Sequence, residues 1–142
     1  MNFVAEKKVT GEISVNGEVV GFIDTVTMFG LETVASCLGS PFNFVKSWMP
    51  YIAMGQGATF PSTEDEHLEN EKYRMEATVT SDGVGYIANA IFNAVATSFI
   101  LREVSLLDKS AGGRMAARWS LDADVSVAAG DNVDITCTIY IA

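Results

Sequence analysis

Positive charge is scarce in this 142-residue chain: nine Lys and Arg stand against 18 Asp and Glu, a formal net charge of −9. Binding to a phosphate backbone needs clustered cations that displace counterions, so nucleic acid and anionic membrane are poor partners. Histidine occurs once, at His67. It lies in Glu64-Asp65-Glu66-His67-Leu68-Glu69, a charged loop rather than a pocket wall, so a Ser or Cys triad has no suitable base. Two cysteines, Cys37 and Cys137, make neither a disulfide framework nor a four-ligand zinc site. Each sits in an apolar stretch, which reads as two buried free thiols, with a single long-loop disulfide as the other arrangement. The start, Met1 to Lys8, has no apolar run after a basic segment, so no secretory signal is expected. The uncharged stretch from Gly83 to Leu101 approaches membrane-span length, but Asn89, Asn93, Thr97, Ser98 and two glycines make it too polar for hydrocarbon.

What is present is apolar content. Hydrophobic residues make up 49% of the chain and charged residues 19%, enough to bury a core and too apolar for intrinsic disorder. At roughly 150 residues per domain, the length suits one domain over residues 1–142.

Glu12 to Val15 and Glu18 to Ile23 flank Asn16-Gly17, the dipeptide that accepts the two positive φ angles of a type I′ turn. This predicts an N-terminal hairpin or arm over residues 1–24. In residues 27–39, Leu31, Val34, Ala35 and Leu38 keep helical spacing, with Thr27 as a cap, Gly39 as a stop and Pro41 beyond it, predicting one short α-helix. Residues 46–142 then alternate short apolar runs with turn signals. Strands are expected from Trp48 to Met54, Tyr73 to Thr80, Gly85 to Phe92, Ser98 to Leu107, Arg114 to Leu121, Val125 to Val127 and a terminal strand through Ile135 and Ile139. For Gly85 to Phe92 a helix with Asn89, Asn93 and Thr97 on its wet face competes, but the flanking turns favour strand. The fold class expected is mainly β, an antiparallel β-sandwich or barrel-like domain.

Candidate chemistry is sparse. His67 and Glu71, four apart, would share a face if the loop held a helical turn, making them the metal-ligand candidates, although three or four ligands are normally needed. Glu64, Asp65 and Glu66 lack the regular ligand spacing of a calcium loop. Gly55-Gln56-Gly57 follows a strand as phosphate-binding turns do, yet lacks the third glycine and the Lys-Ser/Thr, so the glycines read as a tight turn. Asp122 and Asp124 lie too near one another on one strand to flank a glycosidic bond. Arg102 and Glu103 interrupt an apolar run. Strict alternation places them on opposite faces, so one points inward or both lie at an edge, and a buried Glu103 capping backbone amides is favoured over a catalytic one. Trp48, Tyr51, Tyr86, Trp119 and Tyr140 are the side chains that would stack on sugar in a carbohydrate-binding module.

Two blocks carry a family resemblance. Ile52-Ala53-Met54-Gly55-Gln56-Gly57-Ala58-Thr59-Phe60-Pro61 with Asp65, Leu68, Glu71 and Arg74 resembles the phage tail-fibre and virion-protein pattern IAVGTG-T-P followed by D-xx-L-xx-E-xx-R. Ile100 to Asp108 followed by Gly113 to Arg118 is similar to its later block, I-xx-E-x-G-L-F-D and G-x-L-x-A-R. Ser105 stands where the pattern has Gly, and Leu107 where it has Phe. Thr27, Gly30-Leu31 and Leu38-Gly39 match a preceding helical segment, so the resemblance covers about residues 25–142. It implies a small β-rich structural protein of a tailed bacteriophage, or a module attaching a fibre to a baseplate. It implies no catalytic residue and no cofactor, other virion proteins and copies of itself as partners, and a virion location after synthesis in the host cytoplasm. In that reading Gly55 and Gly57 shape the turn, Leu68 anchors the following loop, Glu71 pairs with Arg74, and Glu103 meets Arg118. The alternatives are a capsid decoration protein on the phage head and a carbohydrate-binding receptor module. Six acidic residues, Glu64, Asp65, Glu66, Glu69, Glu71 and Glu76, fall in this region with only Lys72 and Arg74 among them, so much of the net charge sits on one solvated or partner-facing loop.

Overall fold

The computed structural model describes residues 9–23, 49–59, 61, 65–81 and 85–141. The expected helix at 27–39, Cys37 and Trp48 lie outside the described residues. Among the described residues nine strands form: β1 (Val9–Val15), β2 (Glu18–Ile23), β3 (Tyr51–Gly55), β4 (Glu71–Glu76), β5 (Thr78–Ser81), β6 (Gly85–Phe92), β7 (Phe99–Leu107), β8 (Met115–Val127) and β9 (Val133–Ile141). They make two antiparallel sheets, a five-stranded one in the order β2-β1-β9-β6-β5 and a four-stranded one in the order β4-β3-β7-β8. The fold is a β-sandwich.

The hairpin turn forms as its residues dictate, with φ of 52° at Asn16 and 86° at Gly17. Asn16 also extends the sheet: its N–H donates to the Asp134 carbonyl at 2.8 Å and its Oδ1 accepts from the Asp134 N–H at 2.9 Å. The hairpin is built into the sheet, with β1 paired to β9 from Val9↔Ile141 to Val15↔Ile135. Gly85 to Phe92 is a strand, β6, paired along its length with β9. Alternation decides its faces: Tyr86, Ala88, Ala90 and Phe92 are buried, while Ile87 and Ile91 face out.

Three expectations need correction. Tyr73 to Thr80 is not one strand. The chain changes sheets at Ala77, so β4 pairs with β3 and β5 with β6, and the Ala77 N–H donates to the Pro50 carbonyl at 2.7 Å. Arg114 to Leu121 and Val125 to Val127 are not two strands but one, β8, interrupted by a bulge. Leu101 faces Val125 while Glu103 faces Ser120, leaving residues 121–124 looped out. The third concerns Arg102 and Glu103. Phe99 and Leu101 join the inter-sheet core, and so do Val104 and Leu106. The inward parity therefore switches at this irregularity, and Arg102 and Glu103 both lie off the core side. A strict period of two cannot anticipate such a switch.

Between the sheets lies one apolar core that includes Ile13, Ile52, Met54, Tyr86, Leu106, Trp119, Ile135 and Ile139. Tyr86 is fully buried and its hydroxyl accepts from the Met49 N–H at 2.9 Å. Burial pushes its phenol up to about 12, because the charged phenolate would lose hydration. Cys137 is a buried free thiol, raised in the same way. A Cβ at Gly21 on β2 would stand 3.4 Å from the Ser120 carbonyl oxygen of β8, so the sheets also approach closely at the corner away from Ala77.

Candidate functional site

Most of the residues singled out in the sequence gather on the outer face of the four-stranded sheet. On β3, Ile52 and Met54 point into the core, so Ala53 points out. On β7 the outward residues after the parity switch are Glu103, Ser105 and Leu107. A second irregularity, between Leu106 and Leu107, leaves Ala116 as the extra residue of β8. Met115 and Arg118 are three apart and would otherwise face opposite ways; the bulge brings both to the outer side.

The described parts of the following loop, Gln56 to Thr59 and Asp65 to Asn70, close over this face. Leu68 packs with Ala53, Leu107 and Met115, with Tyr51 at the margin, in a small apolar cluster separate from the main core. Beside the cluster stands Glu103, fully buried. Its Oε2 accepts from the N–H groups of Gly57 and Asn70, both at 2.7 Å. Its Oε1 accepts from the Glu69 N–H at 2.9 Å and from Arg118 Nε at 3.0 Å. Four donors converge on a group with about four lone-pair sites, so every acceptor position is occupied. Such charge-assisted bonds are what allow a carboxylate to be buried at all.

The glycines follow from this. A Cβ on Gly57 would fall 2.6 Å from Glu103 Oε2 and collide with the Glu69 side chain. A Cβ on Gly55 would fall 2.7 Å from the same oxygen and collide with the Asn70 carbonyl. Gly55 and Gly57 are glycines because the backbone passes against a buried carboxylate, which is the use of glycine at a close approach.

Arg118, 2% exposed, carries the clasp outward. Its Nη1 reaches Asp65 Oδ2 at 3.4 Å and its Nη2 donates to Thr59 Oγ1 at 3.3 Å. Glu69 closes the loop on itself by accepting from the N–H groups of Ala58 at 2.8 Å and Thr59 at 3.4 Å. The Ala58 bond, followed by the Thr59 hydroxyl, holds the Glu69 carboxyl below its ordinary 4.5. Arg74 binds Glu71 in a two-pronged pair at 2.9 and 2.7 Å, and its Nη1 donates to the carbonyls of Lys109 and Gly112, both at 2.8 Å. The pair thus ties β4 to the turn between β7 and β8. Inside that turn Asp108 Oδ1 accepts the Arg114 N–H at 2.6 Å, and Gly113 adopts a φ of 79°.

The sequence reading paired Glu71 with Arg74 and Glu103 with Arg118, and the geometry brings each pair together. Of the metal-ligand candidates, Glu71 is engaged by Arg74, and His67 Nδ1 lies 2.8 Å from the Leu68 carbonyl. Among the described residues no group of three or more His, Cys, Asp and Glu gathers. Trp119 and Tyr86 are fully buried between the sheets, so neither offers a stacking surface for sugar. Asp122 and Asp124 are exposed on the bulge, and Asp124 pairs with Arg102 at 3.1 Å. Sequence reasoning did not assign roles to Thr59, Asp65 and Glu69. A signal was present for Glu69: a carboxylate lies a short loop away from the free N–H groups that follow a glycine turn.

Neither the family models, nor the curated proteins, nor the solved structures contain a match to this chain.

Proposed function

We propose that this chain is a non-enzymatic structural protein of a tailed-bacteriophage virion, placed at the tail, baseplate or fibre base in contact with other virion proteins and with copies of itself. One observation supports this above the rest. The two blocks that resemble the phage pattern, Ile52 to Arg74 and Ile100 to Arg118, meet at a single carboxylate, and the pattern's Gly55, Gly57, Glu103 and Arg118 are spent on holding a loop against a sheet. A catalytic carboxylate needs a free lone pair or a transferable proton facing substrate. Glu103 has neither, since protein donors fill it and the loop covers it.

The test is the composition and map of the particle. Mass spectrometry of purified virions should find the chain in many copies, and a reconstruction should place its sandwich in the tail, baseplate or fibre base. Absence from virions would overturn the reading, and density on the head shell would replace it with capsid decoration.

A further inference from the structure

Asn16-Gly17 is the only Asn-Gly pair in the sequence, and such a pair carries a chemistry of its own. The Gly17 amide nitrogen, losing its proton, bonds to Asn16 Cγ; the Cγ–Nδ2 bond breaks and ammonia leaves. Water then opens the resulting cyclic imide at either carbonyl. One opening gives aspartate and the other isoaspartate, whose backbone runs through Cβ and Cγ. Glycine favours the attack because it has no Cβ to crowd the nitrogen.

Nothing covers the pair. Asn16, Gly17 and Glu18 are all exposed, and a Cβ built on Gly17 would meet no atom within 4 Å. Protection, where it exists, must therefore come from torsion. The φ values of 52° and 86° and the closing pair Val15↔Glu18 make a type I′ turn, in which the first central residue has ψ of about +30°. Ring closure needs Asn16 Cβ and Gly17 N nearly eclipsed about the Cα–C bond. At this ψ they stand nearly opposite one another.

Two bonds to β9 keep Asn16 there. Its N–H donates to the Asp134 carbonyl at 2.8 Å and its Oδ1 accepts the Asp134 N–H at 2.9 Å. Turning the Cα–C bond redirects the chain after Asn16 and breaks the Val15↔Glu18 pair, while swinging Cγ toward Gly17 N surrenders the bond to the Asp134 N–H. Both routes require the turn to leave β9.

We propose that Asn16 is a latent modification site: it cyclises onto Gly17 and becomes aspartate and isoaspartate only when the hairpin turn opens from β9, and the Asp134 backbone is what holds it shut. The two products differ in effect. Aspartate keeps an oxygen for the Asp134 N–H. Isoaspartate lengthens the backbone inside a two-residue turn, so the closing pair and the bond to the Asp134 carbonyl no longer fit together, and a transient opening becomes a lasting one. The site lies outside the clasp and is independent of any virion location.

The experiment is peptide mapping by liquid chromatography and mass spectrometry, which separates Asn16 from its aspartate and isoaspartate products, on the full chain incubated at mildly alkaline pH. A synthetic peptide spanning residues 12–20 gives the unrestrained rate. In the folded chain conversion should be slower by at least about tenfold, since it waits on a local opening, and unfolding in urea should restore the peptide's rate. Val15→Ala, which loosens the strand end beside the turn, should speed conversion in the folded chain relative to a peptide carrying the same change. Should that variant fail to fold by circular dichroism, Val19→Gly, on the exposed edge strand of the same hairpin, should speed it instead. Leu68→Ala, in the clasp, should leave the rate unchanged. Conversion in the folded wild type at the peptide's rate overturns the proposal, as does a folded hairpin variant that converts no faster than wild type or an equal acceleration by Leu68→Ala.

Discussion

The two outward faces of this sandwich are built from the same kind of antiparallel ladder and treated in opposite ways. Over the four-stranded sheet, the chain folds its own loop down, plugs it with Leu68 and bolts it with Glu103. Over the five-stranded sheet, Ile87 and Ile91 stand open among threonines. A face that carries a buried charge must be sealed, because water would compete for each bond to the carboxylate. The other face keeps its charged and polar groups, Glu12 and the Asn89–Asp134 contact among them, only half buried, so it needs no such seal. The difference separates where sequence is spent on burying a charge from where it is not.

The largest effect should come from the bolt. Glu103→Ala leaves the N–H groups of Gly57, Glu69 and Asn70 and the buried Arg118 guanidinium without their acceptor, and breaking a buried pair in this way costs about 3–5 kcal/mol. Urea unfolding should register that loss, and a cycle with Arg118→Ala should show strong coupling. Leu68→Ala empties the small cluster under the loop and should cost about 2–4 kcal/mol, with the inter-sheet core left intact in near-ultraviolet dichroism. Gly57→Ala drives a methyl against Glu103 and should cost about 1–3 kcal/mol in thermal or urea unfolding.

Smaller and more selective effects follow from pH. Glu69 has its folded pKa lowered below 4.5, so its contribution is fully present above 4.5 and is lost as pH falls through the lowered value. Acid should therefore expose the loop to proteolysis near Ala58 and Thr59 before the sheets open. Tyr86 is shifted the other way: its contribution is present below 10 and is lost as pH rises through about 12. Alkali should attack the core between the sheets and spare the clasp, which unfolding followed by near-ultraviolet dichroism would distinguish. Least of all, Ile87→Thr or Ile91→Thr should change the stability of one chain by only about 0.5 kcal/mol, since both positions lie outside the core and threonine is itself strand-forming.

Local signals were legible wherever a residue acts on its own neighbours. Asn16-Gly17 announces its turn through backbone conformation alone, and the alternation of β6 states which residues are buried. Errors arose where two strands negotiate. The sheet change at Ala77 and the four residues looped out of β8 depend on the pairing partner, and no local period records that. Glu103 was half legible. A carboxylate inside an apolar run must find donors, but its donors at Gly57, Glu69 and Asn70 lie far along the chain, and only folding reveals them. The glycines of Gly55-Gln56-Gly57 suggested a tight turn. Their closer cause, the buried carboxylate beside them, belongs to another strand.

Amide hydrogen exchange tests the clasp most directly. In the wild type the N–H groups of Gly57, Glu69 and Asn70 should be protected even though Glu69 and Asn70 lie exposed in a loop, and Glu103→Gln should lower the protection of those three relative to β6 and β9. Rapid exchange of the three in the wild type, or protection unchanged by Glu103→Gln, would contradict the role assigned to Glu103.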